Sequence, residues 1–348
     1  MTSGTQAKHP GRRNAMRILV TGNLGYVGSH LVEILVKAGH DVIGCDLSLF
    51  PEAVCGDLIK PGYQLNKDFR LITEEDLLGI DAIAHLAGLS NDPMGELNPG
   101  LTMQVNGIGT LELAKRAKKA NVKIFAFASS CSIYGNTSSL PRTEVDETAP
   151  LSEYATSKLF AENGLKELAS DQFQVYLLRN ATAYGDSKVF RSDLVVNDLS
   201  AGMTAFGVAE IKSDGSPWRP FIHCKDMARA FKLFIEENPT KTSGVPVNVG
   251  FKEENFQIKD IGNMIEKVWE SGKISLNSNA IVDPRDYKVD FTKLENLFPS
   301  FRPEHPLEFG IHQLKTELIN MNYSPKDHDS KKYVRLPELK KNIGKLGS

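Results

Sequence analysis

Three glycines between an apolar run and an amphipathic segment constrain this chain more than any other feature. The run MRILVTG (16–22) ends at Gly22, and GSHLVEILVKAG (28–39) has the periodicity of a helix that stops at a glycine. With Gly25 between them, the spacing G-x-x-G-x-x-G allows a tight turn and close approach of a phosphate to the start of the helix. A purely structural turn is the alternative. In a strand–turn–helix context, the pattern favours dinucleotide binding.

Apolar strands alternate with helical segments through the first half of the chain. Continuous apolar strands separated by helices predict a doubly wound parallel sheet, an α/β fold of the Rossmann type. The strand patterns are MRILVTG (16–22), DVIGCDL (41–47), DAIAHLAG (81–88), KIFAFASS (123–130) and QVYLLRNA (174–181), and the helical patterns are 28–39, 109–121 and 153–169.

The pattern divides the chain into four segments. Residues 1–15 are polar and lack the apolar core of a secretory signal, so we expect a disordered lead-in. Residues 16–181 carry the alternation and are the expected dinucleotide-binding domain. Residues 182–323, where the alternation weakens, should mainly form a smaller substrate-binding lobe. The lysine-rich tail 324–348 is expected to be solvated and partly disordered, with an oligomer contact as the alternative.

Composition excludes several classes of function. A chain of 348 residues with 41% hydrophobic residues and a net charge of −2 is typical of a globular protein without affinity for nucleic acid or anionic membranes. No apolar run reaches the roughly 18 residues of a membrane-spanning helix. Cys45, Cys55, Cys131 and Cys224 lack metal-ligand spacing, so we expect reduced thiols and no metal site. The prediction is a cytoplasmic protein.

Acidic residues after the second strand bear on the choice of dinucleotide. Asp46 ends this strand, where a carboxylate can accept hydrogen bonds from the adenosine ribose and repel a 2′-phosphate. No arginine follows in DLSLFPEAV to bind that phosphate, so NAD is favoured over NADP. Asp57 in GDL (56–58) is placed to approach the adenine amino group. An ordinary turn aspartate is the alternative there.

A tyrosine and a lysine stand four positions apart in EYATSKLF (153–160), within a predicted helix. Tyr154 and Lys158 would therefore lie one turn apart on the same face. The pair is either an ordinary helical neighbourhood or a base with its charge partner. The spacing alone does not decide between them.

Together these motifs resemble the extended short-chain dehydrogenase/reductases that act on nucleotide sugars, the epimerase/dehydratase family. The resemblance covers about residues 16–320. It rests on the order and spacing of TGNLGYVG (21–28), HLAG (85–88), ASSCSIYG (128–135), YATSK (154–158), RNATAYG (179–185) and WRPFIHCKDMA (218–228).

The resemblance implies catalytic roles for three residues. Tyr154 would remove a proton from a sugar hydroxyl while hydride leaves for the nicotinamide. Lys158 and the positive nicotinamide ring would lower the pKa of this phenol from its ordinary value of about 10. Lys158 would also bind the nicotinamide ribose. Ser130 would relay the proton between sugar and tyrosine, although Ser129 and Ser132 are close enough to be confused with it.

The resemblance also implies that NAD is the cofactor and a nucleotide-diphosphate sugar the substrate. The residues expected to bind NAD, besides Tyr154 and Lys158, are Gly22, Asn23, Gly25, Tyr26, Val27, Gly28, Asp46, Asp57, Leu58, Leu86, Ala87, Gly88, Asn106 and Ser129. The residues expected to bind the nucleotide sugar are Ser90, Ser130, Asn180, Asp193, Asn197, Arg219 and Arg285. Arg219 would grip the diphosphate. Arg285 lacks the usual R-x-x-D spacing, so a surface arginine is the alternative.

One departure from the family narrows the reaction. Its 4,6-dehydratases carry Asp-Glu directly after the relay residue, where this chain has Cys131 and Ser132. A standard 4,6-dehydratase is therefore not expected, and the resemblance implies an epimerase that transiently oxidises a sugar hydroxyl, the 4-hydroxyl, to a ketone. A net oxidase or ketoreductase, a decarboxylase, a non-standard dehydratase and a non-catalytic NAD-sensing protein are the alternatives. Relatives pair through a four-helix contact, which implies a homodimer through 109–121 and 153–169.

Overall fold

The computed structural model describes residues 15–136, 140–277 and 285–346. Its strands are β1 (Arg17–Thr21), β2 (Asp41–Cys45), β3 (Tyr63–Leu65), β4 (Ala82–His85), β5 (Ile124–Ser130), β6 (Gln174–Asn180), β7 (Thr182–Tyr184), β8 (Val208–Ile211), β9 (Trp218–His223), β10 (Pro246–Val249), β11 (Asn255–Gln257) and β12 (Lys273–Leu276). Its α-helices are α1 (Gly28–Lys37), α2 (Asp92–Leu97), α3 (Pro99–Thr102), α4 (Thr110–Lys119), α5 (Glu153–Leu168), α6 (Val195–Phe206), α7 (Cys224–Glu237), α8 (Ile258–Trp269), α9 (Thr292–Leu297), α10 (Leu307–Asn320), α11 (Pro325–Asp329) and α12 (Arg335–Asn342).

A seven-stranded parallel sheet in the order β10-β6-β5-β4-β1-β2-β3 forms the centre of the molecule. This confirms the predicted Rossmann-type architecture. The strand order reverses between β1 and β4, which pair directly. Connections leave these two strands in opposite directions, so a crevice opens at their carboxyl ends. The glycine turn, which follows β1, lies at this crevice.

Apolar side chains cover both faces of the sheet, which explains why the strands read as continuous apolar runs. Ile18 and Val20 of β1 belong to the core on one face, where α1 and α7 pack. Leu19 between them belongs to the opposite core, together with side chains of α4 and α5. Burial on both faces fixes the register of β1, because a shift of one residue would exchange the two sets.

The central sheet takes its seventh strand from beyond residue 181. The strand β10 pairs with β6, and α7 packs against α1, so 224–249 belongs with the first half of the chain. This differs from the expected single boundary at residue 181. A second lobe contains the small sheets β11-β9-β7 and β12-β8 with α6, α8 and α10 around a separate core. The chain therefore passes between the two parts more than once.

The lysine-rich tail is folded as far as residue 346, which contradicts the expectation of a solvated, partly disordered end. It contains α11 and α12, and Arg335, Leu339 and Leu346 are buried. The sequence resembles a solvated tail because the intervening lysines are exposed while the widely spaced apolar residues face the protein. Of the predicted lead-in, only residue 15 is described.

The thiols are as predicted. Cys45, Cys131 and Cys224 are buried, Cys55 is half-buried, and all are free. His223 is also buried and accepts a hydrogen bond from the Lys225 amide at the start of α7, which is a structural role. Within the described ranges, no helix is both long and apolar enough to cross a membrane.

Candidate active site

A cleft of about 940 Å³ runs along the carboxyl ends of the central strands. The glycine turn, the loops after β2, β4 and β5, and the start of α5 form one side of it, and residues of the second lobe form the other. Its volume is near the upper end of the range for ligand pockets, about 300–1,000 Å³. The cleft therefore has room for a large ligand or for two ligands side by side.

The glycine turn accepts no side chain at its first and last positions. Gly22 has a φ of +73°, and a Cβ there would lie 2.8 Å from the Ala87 amide nitrogen. A Cβ on Gly28 would lie 2.0 Å from the Gly22 carbonyl oxygen. The bare backbone around Gly25 therefore faces the cleft at the first turn of α1, whose free N–H groups attract anions. This cradle fits the diphosphate of a dinucleotide.

Asp46 lies at the cleft wall directly after β2, as predicted. One carboxylate oxygen accepts the Ser48 amide at 2.8 Å and the other accepts the Leu24 amide at 3.1 Å. Burial raises the pKa of Asp46 above its ordinary value, while these backbone hydrogen bonds act in the opposite direction. A carboxylate oxygen has more than one lone pair, so ribose hydroxyls can still bind.

The adenine contact predicted at Asp57 is not supported. Asp57 is exposed and lies outside the described cleft wall, although Leu58 lines the cleft. Both residues precede β3, whereas the carboxyl ends of the strands face the cleft. Asp68 and Phe69, which follow β3, line the cleft instead. Two N–H groups of the Arg70 guanidinium donate hydrogen bonds to the Asp68 carboxylate. The carboxyl end of β3 therefore brings Asp68, rather than Asp57, to the cleft.

The loop after β4 forms the floor of the cleft, which residues 86–88 line. Asn106 holds this loop from beneath, accepting from the Leu89 amide at 2.9 Å and donating to the Leu89 carbonyl at 3.0 Å. It belongs to a π-helical segment, Met103–Gly109, ahead of α4. Asn106, expected from the sequence to bind NAD, thus contacts the backbone of the loop beneath the cleft.

Two asparagines predicted to touch ligands have structural roles. Asn23 is buried and donates to the Gln64 side-chain oxygen at 2.8 Å, which ties the glycine turn to β3. Asn197 is 0% exposed. Its side-chain oxygen accepts a hydrogen bond from the Gly185 N–H, and its side-chain nitrogen donates to the Arg191 carbonyl. Neither lines the described part of the cleft. The next residue of α6, Asp198, lines the cleft instead.

The three predicted catalytic residues meet at the cleft. Tyr154 lies in the first turn of α5, which begins after Ser152, and Ser130 at the end of β5 lines the same cleft. Lys158 follows one turn later, buried at 4% exposure, with its ammonium 5.8 Å from the centroid of the tyrosine ring. The ammonium also lies 4.8 Å from the ring centroid of Phe127.

The electrostatics of the pair differ from the sequence expectation. Burial raises the pKa of Tyr154 to about 12, and the hydrogen bond from Ser130 lowers it only in part. Burial lowers the pKa of Lys158 to about 8, while the carboxylate of Glu162 acts in the opposite direction. The protein alone therefore keeps the phenol neutral. The lowering of the Tyr154 pKa by Lys158 together with the nicotinamide ring stays a prediction.

The hydroxyl of Ser129 is not available to a ligand. It donates to the carboxylate of Glu162, which also forms a buried ion pair with Arg179 at 2.8 Å. Ser130 lines the cleft, and a hydrogen bond to it is one of the causes that lower the pKa of Tyr154. Ser129 still contributes to the cleft wall. Tyr26, Val27 and Gly28 likewise line the cleft, but the Tyr26 hydroxyl is turned inward to a carbonyl.

The two positions after the relay serine carry no carboxylic acid. The Cys131 thiol donates to the Arg179 carbonyl at 3.1 Å, and burial raises the pKa of this thiol far above its ordinary value. Ser132 lines the cleft, and within the described residues its buried hydroxyl has no hydrogen-bond partner. Asp92 lies near Tyr154 and opposes ionisation of the phenol, but its oxygens bind Arg285 and a serine hydroxyl.

Residues predicted to bind the nucleotide sugar line the other half of the cleft. Arg219 is buried there with its guanidinium 5.2 Å from the ring centroid of Tyr287. Arg285 also reaches the cleft rather than open solvent, bridging to Asp92 of α2. The side-chain oxygen of Asn180 is buried at the cleft without a partner among the described residues. This oxygen is free to accept a hydrogen bond from a ligand.

One cation of the cleft was missed from the sequence. Arg191 is buried, forms an ion pair with Asp193 at 2.9 Å and donates to the Ser90 hydroxyl at 2.9 Å. Asn91 donates to the same aspartate at 3.0 Å. The predicted residues Ser90 and Asp193 are thus brought together, but by an arginine two positions before the aspartate. The sequence feature that could have indicated Arg191 is its position in FRSDL (190–194), two residues before the predicted Asp193.

Comparison with protein families settles the family. Residues 18–250 match the model of the NAD dependent epimerase/dehydratase family. The chain belongs to this family.

Its relatives carry out more than one reaction. UDP-glucuronic acid decarboxylase 1 of Xenopus tropicalis is 27% identical over 331 residues, covering 90% of this chain and 76% of the relative. UDP-glucose 4-epimerase of Lactobacillus helveticus is also 27% identical, covering 83% of this chain and 93% of the relative. Among solved structures, UDP-N-acetylglucosamine 4-epimerase from Methanobrevibacter ruminantium M1, in complex with UDP-N-acetylmuramic acid, superimposes with a TM-score of 0.77 at 25% identity. It covers 88% of this chain and 99% of that one.

Family membership confirms the resemblance on which the sequence argument rested. The protein is an enzyme of an NAD-dependent nucleotide-sugar family, and its cofactor is NAD. Relatives of equal identity are a decarboxylase and an epimerase, so identity does not separate the two reactions.

Proposed function

We propose that this protein is an NAD-dependent nucleotide-sugar epimerase that works by transient oxidation of the 4-hydroxyl to a ketone. The observation that carries the proposal is that Ser130, Tyr154 and the buried Lys158 line one cleft together with the glycine turn. A hydroxyl relay joined to a phenol can accept and return one proton of an alcohol. A glycine-lined cleft beside them supports reversible hydride transfer as the accompanying step.

Bound NAD would accept the hydride of the sugar carbon and return it to the opposite face. Ser130 would orient the sugar oxygen and pass its proton to Tyr154. The tyrosine would hold this proton while the ketone exists and give it back as the alcohol forms again. Both the electron pair and the proton return to the substrate, so the reaction has no net redox change.

The phenol needs positive charge beyond that of Lys158. The pKa of Tyr154, about 12, is that of the protein with the lysine in place, and lowering it to neutrality corresponds to about 7 kcal/mol. A nicotinamide cation at a distance of about 4 Å would contribute about 4 kcal/mol of this at an effective dielectric constant of 20. The base would therefore be active only in the NAD-loaded protein.

The chemistry of positions 131 and 132 argues against 4,6-dehydration. Loss of water from the ketone requires a base for the proton at carbon 5 and an acid for the departing 6-hydroxyl. Cys131 is a buried thiol with a raised pKa, and Ser132 is a neutral hydroxyl. Neither side chain can serve as an acid at neutral pH.

Decarboxylation of a nucleotide-linked uronic acid is the second candidate, favoured by the relative from Xenopus tropicalis. It shares the first oxidation, after which the β-keto acid loses carbon dioxide without help from an acid at positions 131 and 132. The two reactions differ in whether the ketone is reduced before the carboxylate is lost. The same catalytic residues would serve either one.

The test is to incubate the purified protein, without added cofactor, with UDP-glucose, UDP-N-acetylglucosamine and UDP-glucuronic acid separately in D₂O. We expect the 4-epimer of at least one sugar by NMR, with its carbon-bound hydrogen retained and no accumulation of NADH. Hydride that returns from the cofactor brings no solvent deuterium to carbon. Stoichiometric NADH release would contradict epimerisation. Carbon dioxide release with deuterium at the carbon that lost it would establish the decarboxylase.

A matched pair of variants assigns the relay. Ser130→Ala should reduce the rate about 10²–10⁴-fold, the usual contribution of acid–base groups. Ser129→Ala, next to it on β5, should retain most of the rate because its hydroxyl faces Glu162 rather than the tyrosine. The opposite order of effects would show that the relay is assigned to the wrong serine.

A further inference from the structure

The segment 334–346, called the C-terminal clasp below, forms a wall of the cleft. Its residues Val334, Arg335, Leu336 and Leu346 line the cavity together with the glycine turn. It comprises the end of an irregular connection, α12 and one 3₁₀ turn. The clasp belongs to the chain region beyond the part that matches the family model, 18–250.

The clasp is fixed to loops that surround the adenosine half of the cleft. Leu339 and Leu346 pack with Leu49 after β2 and Leu89 after β4. The side chain of Arg70, after β3, donates to the Leu346 carbonyl. Since the glycine turn lies between these loops, the clasp covers the place where a dinucleotide would extend from its diphosphate toward adenine.

The first residue of α12 brings a buried cation to this place. Arg335 is 4% exposed, and its guanidinium stacks on Phe50 at 4.7 Å from the ring centroid. One N–H donates to the Val189 carbonyl at 3.2 Å. Within the described ranges, no carboxylate lies within ion-pair distance of this guanidinium. A buried arginine without a counter-ion is rare, because desolvation of the charge costs several kcal/mol.

The charges that face Arg335 do not neutralise it. Burial and the neighbouring guanidinium of Arg191 lower the pKa of Arg335, to about 9, while Asp193 and Asp46 act in the opposite direction. Asp193 is already paired with Arg191, and the carboxylate of Asp46 accepts backbone amides. The arginine remains charged at neutral pH. Arg335 therefore presents a positive charge without a paired carboxylate among the described residues at the cleft wall.

We propose that Arg335 binds the diphosphate of NAD and that the C-terminal clasp closes over the adenosine half of the cofactor. The guanidinium would face the diphosphate from the side opposite the first turn of α1, so that the anion lies between N–H donors on both sides. The proposal rests on the NAD dependence of the family and not on the choice between epimerisation and decarboxylation. Retention of NAD between turnovers is its consequence.

Binding measurements with full-length variants test this role. Arg335→Met should weaken NAD and ADP-ribose about 10- to 100-fold by calorimetry, the value of one or two charge-assisted hydrogen bonds. Adenosine, which lacks phosphate, should bind the variant as it binds the wild type. Arg335→Lys should bind NAD with an affinity between those of the wild type and Arg335→Met, because lysine retains the charge but not the planar guanidinium. Lys340→Met is the matched control, since it removes an exposed charge from the same helix.

Two outcomes of the binding measurements would overturn the proposal. One is equal NAD affinity in Arg335→Met and Lys340→Met. The other is a loss confined to NADP, which would assign the arginine to a 2′-phosphate instead. Wild-type protein provides an independent test if the variant does not fold: amide hydrogen exchange in 334–346 should slow when NAD is added. Unchanged exchange would exclude a clasp. These experiments measure cofactor binding and hydrogen exchange rather than sugar turnover. A negative result would therefore refute the role of Arg335 without refuting the proposed reaction.

Discussion

Replacement of Glu162 by glutamine should both destabilise the protein and change its pH dependence. The carboxylate is 3% exposed and receives hydrogen bonds from Arg179, which is 5% exposed, at 2.8, 3.1 and 3.1 Å. Glutamine has the same size, so Glu162→Gln leaves no cavity. It leaves a buried guanidinium with a neutral partner.

The expected loss of unfolding free energy is about 3 kcal/mol. Removing one partner of a buried ion pair costs about 3–5 kcal/mol, and the lower end applies because the amide oxygen still accepts one hydrogen bond. Equilibrium denaturation in urea measures this loss. Glu33→Gln, whose partner Lys37 is largely exposed on α1, is the control and should cost less than about 0.5 kcal/mol. The double variant Glu162→Gln/Arg179→Met should recover part of the loss, since it removes both charges.

The second effect is on Lys158. Burial lowers the pKa of this lysine to about 8 and Glu162 opposes that shift, so the variant should have a still lower lysine pKa. The ammonium favours the phenolate of Tyr154, and it is lost as the pH rises through the lysine pKa. The high-pH limb of the rate profile should therefore move to lower pH. A destabilisation below 1 kcal/mol together with an unchanged pH profile would refute this reasoning.

Three further outcomes are expected. Tyr154→Phe should retain nucleotide-sugar binding while the rate falls by several orders of magnitude, as measured by calorimetry and steady-state kinetics; a near-normal rate would disprove its role as base. Asp46→Ala should weaken NAD binding and reduce discrimination against NADP in a titration, whereas Asp57→Ala, outside the cleft, should leave both unchanged. A homodimer through α4 and α5 remains a prediction: Phe160, 43% exposed on α5, should be covered in the dimer, so Phe160→Glu should give a monomer by light scattering.

The parts of the site that follow strong local patterns were predictable from the sequence. The glycine turn was predictable because its spacing, between a strand and a helix, reflects backbone that leaves no room for a Cβ. Tyr154 and Lys158 were predictable because one helical turn separates them on the same face. Asp46 was predictable because an acidic residue ends an otherwise apolar strand at the edge where ligands bind in such sheets.

Other parts depended on tertiary context that no local pattern carries. The edge strand β3 has only three residues, so the sequence did not show that Asp57 precedes it and Asp68 follows it. Asn197 and Asp198 are adjacent on α6, and only packing decides which of them faces the cleft. The clasp was missed because Leu339 and Leu346 lie among charged residues, and their partners are distant in the sequence.

The π-helical segment Met103–Gly109 makes the floor of the cleft sensitive to chain length. A π turn contains more residues than an α turn, and this extra length brings Asn106 under the Leu89 backbone. Deletion of one residue, such as Gln104, would remove this extra length and return the segment to regular α-helical winding. The asparagine would then point away from the loop. At this site an insertion or deletion would harm the enzyme more than most substitutions. Relatives with a different number of residues in this segment would lack the contact between the asparagine and the loop after β4.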